Sequence, residues 1–132
     1  RYDIKGKELL KTLSKWYIVD IGFRNLLLGY RNADRGHILE NLVYLELLRR
    51  GYTVSIGKIG PLEVDFIATN QTEKHYIQVT ETMLGEETRA RELEPLRKIS
   101  DNYPKTVLTM DRNFLTNEDG IEIVNLIDWL LG

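Results

Sequence analysis

One long helix followed by three strand-like runs is the feature that most constrains what this chain can become. The helix is "DRGHILENLVYLELLRRG" (34–51), with two arginines at its end and Gly51 beyond them. Cations suit the negative end of the helix dipole, and glycine accepts the left-handed geometry that closes a helix. Then come "YTVSI", "EVDFIA" and "HYIQVTETM", separated by the turn-rich "GKIGP" and "TNQTEK". Links this short predict an antiparallel meander. Next is a charged amphipathic helix, "GEETRARELEPLRKIS", in which Pro95 predicts a kink or a break into two shorter helices. "KTVLTMD" reads as a strand, "RNFLTNEDG" as a polar loop, "IEIVN" as a short strand and "LIDWLL" as a closing helix. The order α-β-β-β-α-β-β-α from Asp34 predicts an α/β (α+β) fold of three layers, a central mixed β-sheet flanked by helices.

Upstream, "GKELLKTLS" (6–14) has helical character, "KWYIVD" (15–20) switches to a strand-like run, and "IGFRNLLLG" (21–29) reads as a short helix ended by Gly29. The chain opens at Arg1, in what reads as the middle of an element, so the expectation is a domain of a longer protein. Residues 1–30 are read as a connecting segment and 31–132 as the domain proper.

At 132 residues with 42% apolar content, the length suits one core. Eighteen basic against twenty acidic residues give a net charge of -2, so the chain as a whole lacks the positive field of an autonomous nucleic-acid binder. The balance is uneven: residues 1–58 hold eleven Lys/Arg against six Asp/Glu, and 59–132 hold seven against fourteen. Any basic contact surface is therefore expected from the first part, with ordinary solvated faces as the alternative. The absence of cysteine excludes disulfides and thiolate metal sites. His37 and His75 match no metal-ligand spacing and are read as structural. No apolar run approaches the roughly 20 residues of a membrane span, so a cytoplasmic location and no membrane partner are expected.

Strand alternation places Glu63, Asp65 and Ile67 on one face of "EVDFIA", with Val64, Phe66 and Ala68 on the other. In "YIQVT", Tyr76, Gln78 and Thr80 share a face opposite Ile77 and Val79. Paired with matching parity, Glu63, Asp65 and Gln78 gather on one side of the sheet. Hard oxygen ligands there suit Mg²⁺ or Mn²⁺, with Asp65 and Gln78 as the metal-binding pair. The alternative is a strand with one wet face. Glu40 shares a helical stripe with Val43, Tyr44 and Leu47, so it projects from a partly apolar face and needs a reason to be there. It is read either as a further group at the metal or as a salt-bridged or hydrogen-bonded acid.

Other motifs fail. "GYTVSIGKI" has its glycines one residue too far apart for a phosphate-binding loop, and Ile59 follows Lys58 where Ser or Thr is needed. Ser14, Ser55 and Ser100 sit in no nucleophile-elbow context.

The series "GHILENLVYLELLRRGYTVSIGKIGPLEVDFIA", "HYIQVTETM", "ETRARELEPLRKISDNYPKTVLTMD" and "GIEIVNLIDWLL" resembles the C-terminal domain of unknown function that follows an AAA+ ATPase domain in many bacterial and archaeal proteins. The opening "RYDIKGKELLKTLSKWYIVDIGFRN" resembles the segment that connects the two, so 1–30 would join a missing ATPase and winged-helix part to the domain. The resemblance implies a restriction-endonuclease-like core of the PD-(D/E)XK type and ATP binding confined to the missing part. Its own N-terminal ATPase domain, DNA or RNA, and a second copy of the chain are the partners it implies. Carried over, Glu40 resembles the helix glutamate of that superfamily, Asp65 the strand aspartate and Gln78 the first member of its E-x-K pair, with Mg²⁺ or Mn²⁺ as the cofactor. Thr80 departs from the pattern: it stands where the superfamily has lysine and carries no charge to stabilise a phosphorane-like transition state. Lys58, just before the aspartate strand, and Lys74, just before the glutamine strand, are the candidates for a relocated catalytic lysine. Arg89, Arg91, Arg97 and Lys98 on the following helix are candidates for phosphate contact, diluted by Glu86, Glu87, Glu92 and Glu94. With the lysine gone, the resemblance implies a catalytically degenerate module that binds nucleic acid or a partner. An active Mg²⁺-dependent nuclease and a purely structural docking or oligomerisation domain are the alternatives.

Overall fold

The computed structural model describes residues 2–3, 8–9, 35–112 and 116–132. Helix α1 (Arg35–Arg49) is followed by strands β3 (Thr53–Ile59), β4 (Leu62–Thr69) and β5 (Lys74–Thr80), then helix α2 (Glu86–Arg97) and strand β6 (Lys105–Thr109). The chain continues with the short strand β7 (Asn117–Glu118), β8 (Ile121–Asn125) and helix α3 (Leu126–Leu131). Two two-residue strands, β1 (Tyr2–Asp3) and β2 (Glu8–Leu9), precede α1. The elements read over 15–20 and 21–29, and most of the helix read over 6–14, lie outside the described residues.

The sheet order is β2-β1-β3-β4-β5-β6-β8-β7. β3, β4 and β5 form the expected antiparallel meander, while β5–β6, β6–β8 and β1–β3 are parallel. The sheet is therefore mixed and its helices lie on both faces. On one face, α2 packs Leu93 and Leu96 against Val64, Ile67, Tyr76, Val107 and Ile123. On the other, α1 and α3 pack Leu39, Val43, Leu47 and Leu126 against Phe66, Ala68, Ile77, Val79 and Leu108. Alternate residues of one strand feed the two cores, which is why β5 is buried from Tyr76 to Val79 without a wet face.

The sequence signals for α1 operate as read. Gly51 has φ 88, its N–H donates to the Leu48 carbonyl, and the Tyr52 N–H donates to the Leu47 carbonyl, both at 3.0 Å. This pair of bonds satisfies the last carbonyls of the helix and aims the chain into β3.

Five local readings are corrected. Glu8–Leu9, read as helical, is a strand, because its backbone pairs with β1, which in turn extends β3; tertiary pairing overrides propensity here. "GKIGP" is mostly strand: Ile59 pairs with Leu62 across a two-residue turn, Gly60–Pro61, with Gly60 at φ 58. Pro95 does not split α2, which runs unbroken from Glu86 to Arg97. It lies in the last turn, two residues before the C-terminal end, so only the closing turn must do without its N–H, and its ring is buried. The loop before β8 contains β7, and its Asp119–Gly120 turn has φ 55 and 81, the doubly positive geometry that Asp-Gly favours in hairpins.

The fifth concerns β4. Thr53, Val54 and Ser55 pair with Thr69, Ala68 and Ile67, but Gly57, Lys58 and Ile59 pair with Val64, Glu63 and Leu62. One residue of β3, Ile56, thus faces two of β4, Asp65 and Phe66. This bulge breaks the alternation, so Val64 joins Ile67 in the α2-side core while Phe66 and Ala68 join the other. Glu63, next to Val64, therefore does not share a face with Ile67.

Candidate functional site at the β4–β5 seam

The bulge decides the geometry at Asp65 and Gln78. The β4–β5 ladder runs from Thr69↔Lys74 to Phe66↔Ile77 and stops there. The Tyr76 N–H donates to the Pro104 carbonyl on the β6 side, so by alternation the N–H groups of Ile77 and Val79 face β4. Val79 finds no β4 carbonyl beyond the bulge; its N–H donates to Asp65 Oδ2 at 2.9 Å. In return the Asp65 N–H donates to Gln78 Oε1 at 2.7 Å. Each side chain thus serves the other strand's backbone.

Gln78 is only 5% exposed, and its other end is also committed: Nε2 donates to the Glu92 carbonyl of α2 at 3.3 Å. The carboxamide therefore lies on the α2 side of the sheet. A buried amide with both ends bonded is satisfied as it stands. Thr80, half-buried at the end of β5, donates its hydroxyl to the Thr82 carbonyl at 3.1 Å.

The two lysines considered as replacements for a catalytic ammonium are both elsewhere. Lys58 lies within β3, in register with Glu63. Its neighbour Ile59 belongs to the α2-side core, so Lys58 faces the α1 side, away from the Gln78 carboxamide. Lys74 opens β5, four residues from Gln78, which separates them by about 13 Å along an extended strand. Its ammonium sits 5.5 Å from the centre of the Tyr76 ring and 5.4 Å from that of Tyr103.

Glu92 is the seam residue that the sequence reading left among the diluting charges. Burial raises its carboxyl pKa; neighbouring Arg91 opposes the rise and Glu40 adds to it. Glu40, half-buried on α1, is thereby within electrostatic reach of α2. A signal for Glu92 existed: it lies four residues before buried Leu96, on the stripe that α2 turns inward.

Asp65 and Gln78 thus meet across the seam. The carboxamide oxygen accepts from a backbone N–H, as does one oxygen of Asp65. Among the described residues no group of three or more His, Asp or Glu side chains is arranged to hold a metal ion.

At the C-terminal end of α2 the cations are matched by acids. Arg97 contacts Asp119 at 2.8 Å and Glu118 at 3.4 Å, and Lys98 lies 3.9 Å from Glu94. At the closing helix, half-buried Trp129 lies under the Arg50 guanidinium, 4.4 Å from its ring centre, and its carbonyl accepts from Arg50. Leu131 is exposed. No helix among the described residues is long and apolar enough to cross a membrane.

No family model matches the chain, and no solved structure matches it. Over 131 residues, 99% of its length, the chain is 44% identical to an uncharacterised protein of Haemophilus influenzae. Over 126 residues, 89% of its length, it is 33% identical to an uncharacterised protein of Methanocaldococcus jannaschii. The chain spans 32% of the first and 26% of the second, so it is similar to a minor part of each of these longer proteins.

Proposed function

We propose that this chain is a nuclease-like module that has lost cleavage and serves as a docking module of a longer, ATPase-containing protein. The single observation that carries the reading is the state of the seam: the Gln78 carboxamide is bonded at both ends, and no ammonium stands at the Thr80 position. The succession helix, three-stranded meander, helix, parallel strand is the arrangement that the restriction-endonuclease resemblance implies. It supports descent from such a fold and says nothing of retained chemistry.

A protein partner is favoured over nucleic acid because most described cations are already matched. Arg49 and Arg50 engage Glu46, Arg97 engages Asp119 and Glu118, and Arg112 lies 3.6 Å from Asp128. Releasing condensed counterions from a phosphate backbone needs cations that are not so matched. One observation favours the nucleic-acid reading, the excess of basic residues in 1–58.

The test is a supercoiled-plasmid nicking assay in Mg²⁺ and in Mn²⁺, with Asp65→Ala as the control, beside a gel shift over a salt series. The expected result is no nicking and no salt-sensitive shift, with the chain retained by the remainder of the longer protein in a binding assay. Nicking that Asp65→Ala abolishes overturns the non-cleaving reading; a salt-sensitive shift without nicking replaces the protein partner by nucleic acid.

A further inference from the structure

We infer that Asp65 and Gln78 form a structural lock: their side chains replace the backbone bonds missing beside the β4 bulge and fasten α2 to the sheet. The inference extends the non-cleaving reading from a lost activity to a gained role.

Where two antiparallel strands diverge inside a core, each stranded N–H needs an acceptor, because water cannot supply one. Asp65 and Val79 are such donors, half-buried and buried, and both are answered across the seam by a side chain of the opposite strand. The residue types match the task. Asp65 has the reach of a short carboxylate that accepts at a charge-assisted distance of 2.9 Å. Gln78 must accept at one end and donate at the other, because it also meets the Glu92 carbonyl. Glutamate in its place has no donor for that carbonyl, so glutamine at position 78 is the residue the lock requires. Through Glu92 the lock reaches α2, whose Leu93 and Leu96 are fully buried in the adjoining core. Strand divergence, bulge and helix position are thus held by one pair of side chains.

Three variants separate this role from a metal site. Asp65→Ala leaves the Val79 N–H without its acceptor and should lower Tm by about 5–10 °C. Asp65→Asn keeps an acceptor oxygen and should recover most of that loss. Gln78→Glu sets a carboxylate against the Glu92 carbonyl and beside Asp65, and should lower Tm by about 5 °C or more, unrelieved by millimolar Mg²⁺ or Mn²⁺. A metal site makes the opposite demands: Asp65→Ala relieves repulsion and leaves Tm unchanged or raised, Asp65→Asn behaves like Asp65→Ala, and Gln78→Glu gains a ligand and is stabilised by the cation. Asp65→Ala within about 2 °C of the parent chain, or stabilisation of Gln78→Glu by Mg²⁺, overturns the lock. The plasmid assay keeps the two failures apart: the lock can fall with nicking still absent, and nicking removed by Asp65→Ala sinks the non-cleaving reading itself.

Discussion

The two ends of β5 use the same strand for opposite purposes. At the far end Gln78 and Asp65 accept from backbone N–H groups across the seam, and Gln78 donates to a backbone carbonyl. At the near end the buried Tyr76 hydroxyl donates to Asp101 Oδ2 at 2.5 Å, and the Lys105 ammonium donates to the carbonyls of Asp101 and Tyr103 at 2.7 and 3.0 Å. Lys74 adds a second ammonium over the tyrosine rings. The ammonium that this strand itself carries, Lys74, lies at the near end and not at the Thr80 position. Thus the side chains at both ends hold structure, one by completing a ladder and the other by an ionic and aromatic cluster.

The largest effect that can test this symmetry comes from the near end. Asp101→Ala leaves a fully buried tyrosine hydroxyl and a nearly buried ammonium without their carboxylate. It should cost about 2–3 kcal/mol in urea unfolding. Tyr76→Phe, which removes one of the three donors to Asp101 and keeps the ring, should cost about 1 kcal/mol. If both variants unfold at the parent's midpoint, the near end is decoration and the comparison fails.

Acid should pull the two ends apart. Burial disfavours the Asp101 carboxylate, but the hydrogen bonds from Tyr76, the Tyr103 N–H and Lys105 outweigh it and hold its pKa below the ordinary aspartate value. Its contribution is complete above about pH 3.9 and is lost as pH falls through the depressed folded value. Glu92, beside the seam, is raised instead, first by burial and then by Glu40. Its ionised form weakens the fold at neutral pH, and that cost is relieved as pH falls through the raised value toward about 4.3. Relative to Glu92→Gln, the parent chain should therefore gain stability on mild acidification. Relative to Asp101→Ala, its advantage should shrink only below about pH 3.9. The Glu92 effect is the smaller because that side chain is partly open to water. Unfolding midpoints over a pH series read both, and a constant gap between parent and Glu92→Gln contradicts the seam electrostatics.

The order of elements from α1 to α3 was legible because periodicity and turn residues report it directly: the Gly51 cap, the three strand runs and the closing helix all stand where they are read. The meeting of Asp65 with Gln78 was legible too, since both lie in adjacent strands of a short-linked meander. The bulge was not. Nothing in "EVDFIA" marks an extra residue, because the mismatch is set by pairing with β3, and one inserted residue reassigns every face upstream of it. That single event moved Glu63 off the side of Ile67. Lys58 misled differently, since "GKIGP" resembles a turn until Ile59 is seen to have an apolar core to enter. The Asp-Gly pair before β8 was a signal in plain view, hidden by the polarity of its surroundings.

The smallest expected effect sharpens the comparison most. Thr80→Lys places an ammonium at the Thr80 end of β5 and restores the residue type that the nuclease pattern has there. Thr80 is half-buried and its hydroxyl bonds a carbonyl only two residues away. The side chain should therefore find solvent at a cost under about 1 kcal/mol. If Asp65 and Gln78 are held by Val79, the Asp65 backbone and Glu92, a nearby ammonium has no vacant ligand set to complete, and plasmid nicking in Mg²⁺ should stay at background. Turnover appearing in Thr80→Lys and vanishing in Thr80→Lys with Asp65→Asn would mean that the seam can still assemble a catalytic site once charge is supplied. The asymmetry of β5 would then reflect one missing residue rather than a rebuilt seam.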